Sequence, residues 1–519
     1  MKNAIGVDIP KQIPGIGDLT PFKGEWAIID KVMAKGVPYK APQALKVRGK
    51  SHKKLCKDLK ECLKKLELKN GMTISFHHHM RGGDGTVFPV VSMLAEMGLK
   101  NLTLASSSLT SAHECLLPYL ENGVITRIWT SGLRGKLGKA VSEGVLDIPV
   151  VFHSHGGRAR AIETGKLKID VAFIAASAAD LAGNATGSFG PSGCGSLGYA
   201  MIDSEYAKQV VVITDNIVDY PCVPASIKQQ NVDYVVPIDK IGDPKKIAGD
   251  TTRITRNPMD LRIAMLAAQA IDKAGYIKNG FSLQTGAGGA SLAVARFIKE
   301  MMKKRDIKGS WLLGGITSVM TAMLEEGLFS TAFDVQSFDA AVKDSIYGNP
   351  RHIEISSFDY ADPFNCGCMT HQLDVVILAA LEVDTDFNVN VLVGSDGYIR
   401  GASGGHSDTA AGADLTVVVA PSIRGRLPIV RKQIMSVVTP GTSVDLIVTE
   451  RGICINPARK DLKKALKNTG LPIRDINELC AEVEHLCGIP IMPEWDDKIV
   501  GLIEYRDGSI LDVIRKVKK

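Results

Sequence analysis

The sequence predicts an α/β fold of two tandem, related halves, each built on a mainly parallel sheet, preceded by an N-terminal arm. Three observations carry that expectation. Continuous β-branched runs such as Val210–Thr214 and Leu415–Val419 read as strands buried on both faces, the condition of a parallel strand. Helical stretches at 261–273 and 291–303 alternate with such runs in the βαβ manner. The third observation is an internal repeat.

The repeat runs in order along both halves. Gly71–Phe76 and Gly280–Gln284 are short strands that enter Gly-rich turns, RGGDG (81–85) and GAGG (286–289), and then a helix. NGVITRIWTS (122–131) matches EGLFSTAFDVQS (326–337), and IDVAFIAAS (169–177) matches LDVVILAALEVD (373–384). GCGSLGYA (193–200) and GSDGYIRGASGGH (394–406) each precede one of the β-branched runs. The four pairings keep one order at an offset of about 204–209 residues, which points to duplication. The expected division is an arm over 1–50, with Pro10, Pro14, Pro21, Pro38 and Pro42, a first half over 51–280 and a second over 281–519. In such sheets ligands bind beyond the carboxyl ends of the strands, where the Gly-rich turns fall.

Composition narrows the function class. With 45% hydrophobic and 23% charged residues, disorder, collagen and disulfide-scaffold readings are excluded. The ten cysteines are scattered, and Cys366-Gly-Cys368 lacks the second arm of a zinc site, so they read as reduced thiols of a cytoplasmic protein. The first 18 residues are broken by Pro and Gly before any apolar core, unlike a signal peptide, and no stretch reaches the ~20 apolar residues of a membrane span. Neither nucleic acid nor membrane is an expected partner, since the net charge is only +6. Basic residues concentrate between Lys46 and Lys69, where Leu55, Leu59, Leu63 and Leu66 recur at helical spacing. That basic helix over 53–67 is either a solvated face or a docking surface for an acidic partner.

Fifty-one glycines, more than the ordinary share, gather in loops that could carry chemistry. A turn such as GAGG, opening a helix, leaves backbone N–H groups of Gly288 and Gly289 for an anion or oxyanion. The stretch 393–414 holds six glycines, three serines, Arg400 and His406; Gly404 and Gly405 offer N–H donors, Arg400 a fork for a carboxylate, and Ser403 a hydroxyl. In SFHHHMRGGD (75–84), His77 and His79 point one way along a strand and His78 the other. One shared metal is therefore disfavoured, and no metal is expected; an anion site using Arg81 and one or two histidines fits better. Ser107 in SSSL (106–109), Arg134 in SGLRG (131–135) and Arg158 in SHGGRAR (154–160) repeat the theme. GxSxG, HExxH and kinase motifs are missing. Arginines, serines and backbone donors without an obvious nucleophile suit a reaction whose substrate attacks, such as a carboxylate on a thioester.

In these residues and the motifs around them, the chain resembles the citrate lyase alpha-subunit family over nearly its whole length. NGMTISFHH (70–78), RGGD (81–84), NLTLASSSL (101–109), TSGLRG (130–135), HSHGGR (153–158), QTGAGGASLAVARF (284–297), GGIT (314–317), DVQSFD (334–339), NVNVLVGSDG (388–397), RGASGGHSDTA (400–410) and VTERGICINPAR (448–459) carry the resemblance. It implies the fold of CoA-transferases and sugar-phosphate isomerases, duplicated in one chain. It also implies exchange of acetyl for citryl on an acyl-carrier protein, the gamma subunit, ahead of cleavage by a beta subunit, in a homo-oligomeric cytoplasmic complex. No cofactor would be held permanently; the thiol belongs to the carrier's phosphoribosyl-dephospho-CoA arm, with acetyl-CoA as a substitute.

Related CoA-transferases carry a Gly-Ile-His-Ser-Glu-Met stretch whose Glu forms a covalent adduct. Here Gly315-Ile316-Thr317-Ser318-Val319-Met320 puts Val319 at that position, which implies a ternary complex and a mixed anhydride. On this reading Gly288, Gly289, Gly404 and Gly405 stabilise oxyanions, while His78, Arg81, Ser107, Arg134, Arg158, Arg400, Ser403 and His406 hold citrate. The alternatives are a citramalate lyase alpha-type transferase, a covalent enzyme using Glu382 or Glu450, and a non-catalytic scaffold.

Overall fold

The computed structural model describes residues 1–35, 40–43, 46–47, 49, 52–247 and 254–518. Pro38 of the expected arm, and residues 50 and 51 at its expected end, lie outside the described residues.

Two nine-stranded sheets organise the chain. The first takes β1 (Thr73–Phe76), β2 (Leu102–Ser106), β3 (Ile125–Thr130), β4 (Val150–Phe152), β5 (Val171–Ala176), β6 (Gln209–Thr214) and β7 (Tyr234–Pro237). The second takes β8 (Leu283–Thr285), β9 (Gly309–Ile316), β10 (Phe329–Ser337), β11 (His352–Glu354), β12 (Val375–Ala379), β13 (Leu415–Val419), β14 (Leu446–Thr449), β15 (Gly452–Ile455) and β16 (Ile473–Arg474). The spatial order β7-β6-β5-β1-β2-β3-β4 is matched, strand for strand, by β14-β13-β12-β8-β9-β10-β11, and every pairing within these two runs is parallel. The repeat seen in the sequence is thus a repeat of topology.

Paired carboxylates fix the corners of both halves in the same way. Asp170, leading β5, accepts from the Thr73 N–H at 2.9 Å, and Asp374, leading β12, accepts from the Ser282 N–H at 2.8 Å. Likewise Asp233 takes the Val210 N–H and Asp445 the Thr416 N–H. Each satisfies a strand-end donor that the sheet leaves over.

The strands are apolar on both faces because helices cover both. Val375, Ile377, Leu415 and Val417 join the core beneath the helices Pro258–Lys273 and Gly289–Arg305, while Val376, Leu378 and Val418 point into a second core on the opposite face. The helix expected over 261–273 begins at Pro258, a residue suited to the first helical position, behind an Asn257 cap that accepts from the Met259 N–H.

Two features arise from long-range pairing. The last strands, β17 (Trp495–Glu504) and β18 (Ile510–Val517), form an antiparallel hairpin, and β17 pairs in parallel with β4. The segment 281–519 therefore supplies the edge of the first sheet, and Pro21 and Phe22 of the arm lie on that hairpin at Ile510 and Tyr505. The basic helix is also shorter than its leucine spacing predicts: it runs Leu59–Lys65, because Asp58 caps it by accepting from the Glu61 N–H. Leu55 instead bridges the β7 edge at Val235, and Lys46 is buried against Asp233 at 2.9 Å. Among the described residues no helix is long and apolar enough to cross a membrane.

Candidate functional site

A cavity of about 510 Å³ lies where the carboxyl ends of both sheets face each other. The first half contributes His78, Arg81, Ser131, Arg134, His155 and Tyr199; the second contributes Gln284, the Gly286–Gly288 turn, Gln336, Tyr360 and Ser403–His406, among others. Backbone bonds close the seam around it. The Ser403 N–H donates to the Ser131 carbonyl at 2.8 Å, the His155 N–H donates to the Gly404 carbonyl at 2.9 Å, and the Ser403 hydroxyl donates to the His153 carbonyl at 2.6 Å.

The cationic wall comes from loops after first-half strands. Arg81 takes a positive φ of 53° in the turn after β1, and its guanidinium lies 4.8 Å from the Phe338 ring centroid and donates to the Phe338 carbonyl. Burial, with Arg134 nearby, lowers its pKa to about 10, against a counter-pull from Asp339. Arg134 precedes the helix Gly135–Ser142 at the cavity and forms no ion pair among the described residues. Two guanidiniums thus share a wall on which, among the described residues, no Asp, Glu, Lys or Cys appears.

Two of the cavity histidines, His78 and His406, have both ring nitrogens engaged. Ring Nε2 of His78 donates to Gln336 Oε1 at 3.1 Å and Nδ1 accepts from Ser107 Oγ at 2.6 Å. Ser107 therefore stands behind His78 and does not line the cavity. His77 and His79 turn away from it onto each other, Nδ1 to Nδ1 at 2.9 Å, and His79 Nε2 faces the Val335 carbonyl at 3.3 Å. His406 donates from Nε2 to the Ala379 carbonyl at 3.0 Å and accepts at Nδ1 from Thr439. Burial pulls the pKa of His406 down to about 4, that of His155 to about 3, and that of His78 well below its usual value.

The glycines have distinct roles. Gly288 lines the cavity and caps the helix Gly289–Arg305, whose first-turn N–H groups face no intrahelical partner; Gly289 lies one residue behind the wall. Gly404 has φ +55°, a conformation that favours glycine, and a Cβ at Gly405 would sit 2.6 Å from the Tyr360 hydroxyl oxygen, too close unless the phenol moves.

Two of the arginines singled out in the sequence do not reach the cavity. Arg158 is buried in the helix His155–Glu163 and donates to Asp203 at 2.6 Å. Arg400 is exposed and forked onto Asp396, four residues earlier. In each case an internal carboxylate already takes the guanidinium.

Residues that the sequence reading passed over complete the wall. His155 packs on Tyr199 with the rings tilted and centroids 4.3 Å apart, and its Nδ1 is buried without a partner among the described residues. Gln284 donates from Nε2 to the Tyr360 hydroxyl at 2.8 Å. Gln284 and Gln336 sit in β8 and β10, inside motifs noted only for their glycines and serines.

The candidate nucleophiles of a covalent route lie elsewhere. Val319 packs against the second-half core in the helix Ser318–Glu325. Glu382 is buried on Arg431, Asn390 and the Met435 N–H, and Glu450 is held by Ser422.

Comparison with known proteins places the chain. The family model "Citrate lyase, alpha subunit" matches residues 52–517. The citrate lyase alpha chain of Klebsiella pneumoniae is 52% identical over 93% of this chain and 95% of its own length, and that of Escherichia coli K12 is 49% identical over 93% and 94%. A crystal structure of the alpha subunit of citrate lyase from Streptococcus mutans, in complex with citrate, superposes with a TM-score of 0.95 at 48% identity over all of both chains. The malonate decarboxylase alpha subunit of Acinetobacter baumannii, at 15% identity, has a TM-score of 0.60 over 82% of this chain and 87% of its own and shares the fold alone. With the family model spanning both sheets and the cleft between them, the chain belongs to the citrate lyase alpha-subunit family.

Proposed function

We propose that this chain exchanges acetyl for citryl on the thiol of an acyl-carrier arm, in a ternary complex and without a covalent enzyme intermediate. The observation that carries the proposal is the cavity wall, which pairs Arg81 and Arg134 with hydroxyls and backbone donors but holds no carboxylate, thiol or amine among the described residues. A carboxylate of citrate, ionised at neutral pH, attacks the acetyl thioester carbonyl; the tetrahedral oxyanion collapses and expels the thiolate. The thiolate then attacks the citryl carbonyl of the mixed acetyl–citryl anhydride and releases acetate.

Arg81 and Arg134 hold citrate carboxylates, with His78 as a fixed neutral contact. Donors at Gly288, Gly404 and Gly405 stabilise the two oxyanions, each worth about 2.7–4 kcal/mol in comparable sites. Enclosure between the halves keeps thiolate and anhydride together and away from water, where proximity supplies up to about 7–11 kcal/mol.

The carrier and a citryl-cleaving subunit are the partners this chemistry requires, in the cytoplasm. The exposed lysines 53, 57, 60 and 64 around the helix Leu59–Lys65 give an acidic carrier a surface to meet, and carrier binding that ignores salt would count against that role. The test of the activity is direct. The purified chain, given acetyl-CoA and citrate, forms citryl-CoA and acetate, and forms no equivalent product with citramalate at comparable rate. No exchange with either acid would leave a scaffold.

A further inference from the structure

We propose that Tyr360, held by Gln284, is a catalytic residue: its hydroxyl donates a hydrogen bond to the acyl oxygen as that oxygen becomes an oxyanion. The inference deepens the acyl-exchange reading above and rests on it.

The geometry at this corner is specific. Tyr360 is the penultimate residue of the short helix Ser357–Ala361 and is 2% exposed, yet it lines the cavity beside Gly405. Its oxygen accepts the Gln284 Nε2–H at 2.8 Å, so in this amide orientation the phenol's own proton is the one left to give. No acceptor for that proton occurs among the described residues. The oxygen also crowds the space a Cβ at Gly405 would take, 2.6 Å from that point, which places it beside the glycine turn. Tyr360 and Gly405 line the same cavity side by side, so the hydroxyl adds a side-chain donor to the backbone donors of that turn.

Burial supports the same role. It pushes the phenol's pKa above its usual value, so the group stays protonated throughout the working range and acts as a neutral donor. The electron pair of the thioester carbonyl moves onto oxygen as the carboxylate adds, the phenol shortens its hydrogen bond to that oxygen, and no proton leaves the tyrosine. When thiolate departs, the bond relaxes. The same donor serves the second addition in reverse order. Gln284 is then a positioning residue, acting through Tyr360.

The test uses the full purified chain with acetyl-CoA and citrate, reading kcat for acyl exchange, citrate Kd by calorimetry, and Tm. Tyr360→Phe should lower kcat by about 10²–10³-fold while citrate Kd stays within about 2-fold. Replacing Tyr360 with 3-fluorotyrosine, which keeps the ring and the donor, should hold kcat within about 10-fold of wild type; it carries the test even if the Phe variant folds poorly. Gln284→Met should cost kcat and not citrate affinity. An active wild type with an equally active Phe variant overturns the role of Tyr360 alone, as does a Phe variant that loses citrate affinity with kcat intact. A wild type without exchange overturns both this inference and the reading it rests on.

Discussion

His78 and Gln336 meet across the cleft, imidazole Nε2 to amide Oε1 at 3.1 Å, one from each half of the duplicated fold. The contact joins the turn after β1 to the carboxyl end of β10. Together with the Ser403 hydroxyl on the His153 carbonyl, it makes the cavity a property of both halves, since neither half alone presents more than part of the wall.

Because each ring nitrogen of His78 and His406 is engaged, and burial holds both imidazoles neutral, their protonation should not change in the physiological range. Burial pulls the pKa of His406 down to about 4 and that of His155 to about 3. In histidine-labelled NMR spectra these three rings should show no shift between pH 5.5 and 8. An inflection near 6.5 in any of them would contradict the locked, neutral arrangement.

The arginines should separate by mutation. Arg81→Ala and Arg134→Ala remove charge-assisted contacts worth about 1.5–3 kcal/mol, or roughly 10–100-fold in citrate Kd. Arg400→Ala should stay within about 2-fold, since Arg400 is exposed and paired with Asp396. Calorimetric titration of the three variants with citrate orders them; a large loss for Arg400 would mean the cavity has been assigned the wrong cations.

Glu354 links the halves by accepting the Leu197 N–H at 2.5 Å and the Ser226 hydroxyl at 2.7 Å, and burial raises its pKa to about 7. Its folded form therefore keeps a proton that the unfolded chain releases above about 4.5, so its contribution to stability is full below that pH and falls as pH rises to about 7. Glu354→Gln removes that loss. Relative to wild type, the variant should gain on the order of 2 kcal/mol between pH 5 and pH 8, read from urea unfolding at both values. A difference that does not change with pH would show that Glu354 is ionised in the fold.

Gly405→Ala probes the tightest point of the wall. The added methyl would press on the Tyr360 oxygen, so the phenol or the turn must move. Acyl exchange should fall by about 100-fold, the scale of one misplaced donor, with Tm lowered by no more than several degrees. Unchanged exchange would mean that this corner does not touch the reacting carbonyl.

The sequence exposed the duplication because each half repeats glycine punctuation and β-branched runs, which are local signals. Arg81, Arg134, Ser403, Gly404, Gly405 and His406 were legible for the same reason: they sit in loops too rich in glycine and polar residues to be mere connections, and the fold brings them to one cavity. Arg158 was misleading because its partner, Asp203, lies 45 residues away and only the packing of two helices joins them. The Asp396 partner of Arg400, by contrast, stands four residues upstream and was readable in GSDGYIR. Gln284, Gln336 and Tyr360 carry no distinctive spacing, and their places depend on the register of two sheets. The β17–β18 hairpin, closing the first sheet from the far end of the chain, has no local signature at all.

In the proposed reaction the substrate carboxylate, and no side chain, attacks the thioester. The measurement that bears on it most directly is mass spectrometry of the active chain after acetyl-CoA turnover, quenched in parallel with borohydride and with hydroxylamine. Enzyme that exchanges acyl groups with citrate should yield unmodified Glu382 and Glu450 peptides, and no other trapped residue. A peptide shifted by reduction or hydroxamate formation at any carboxylate would contradict it.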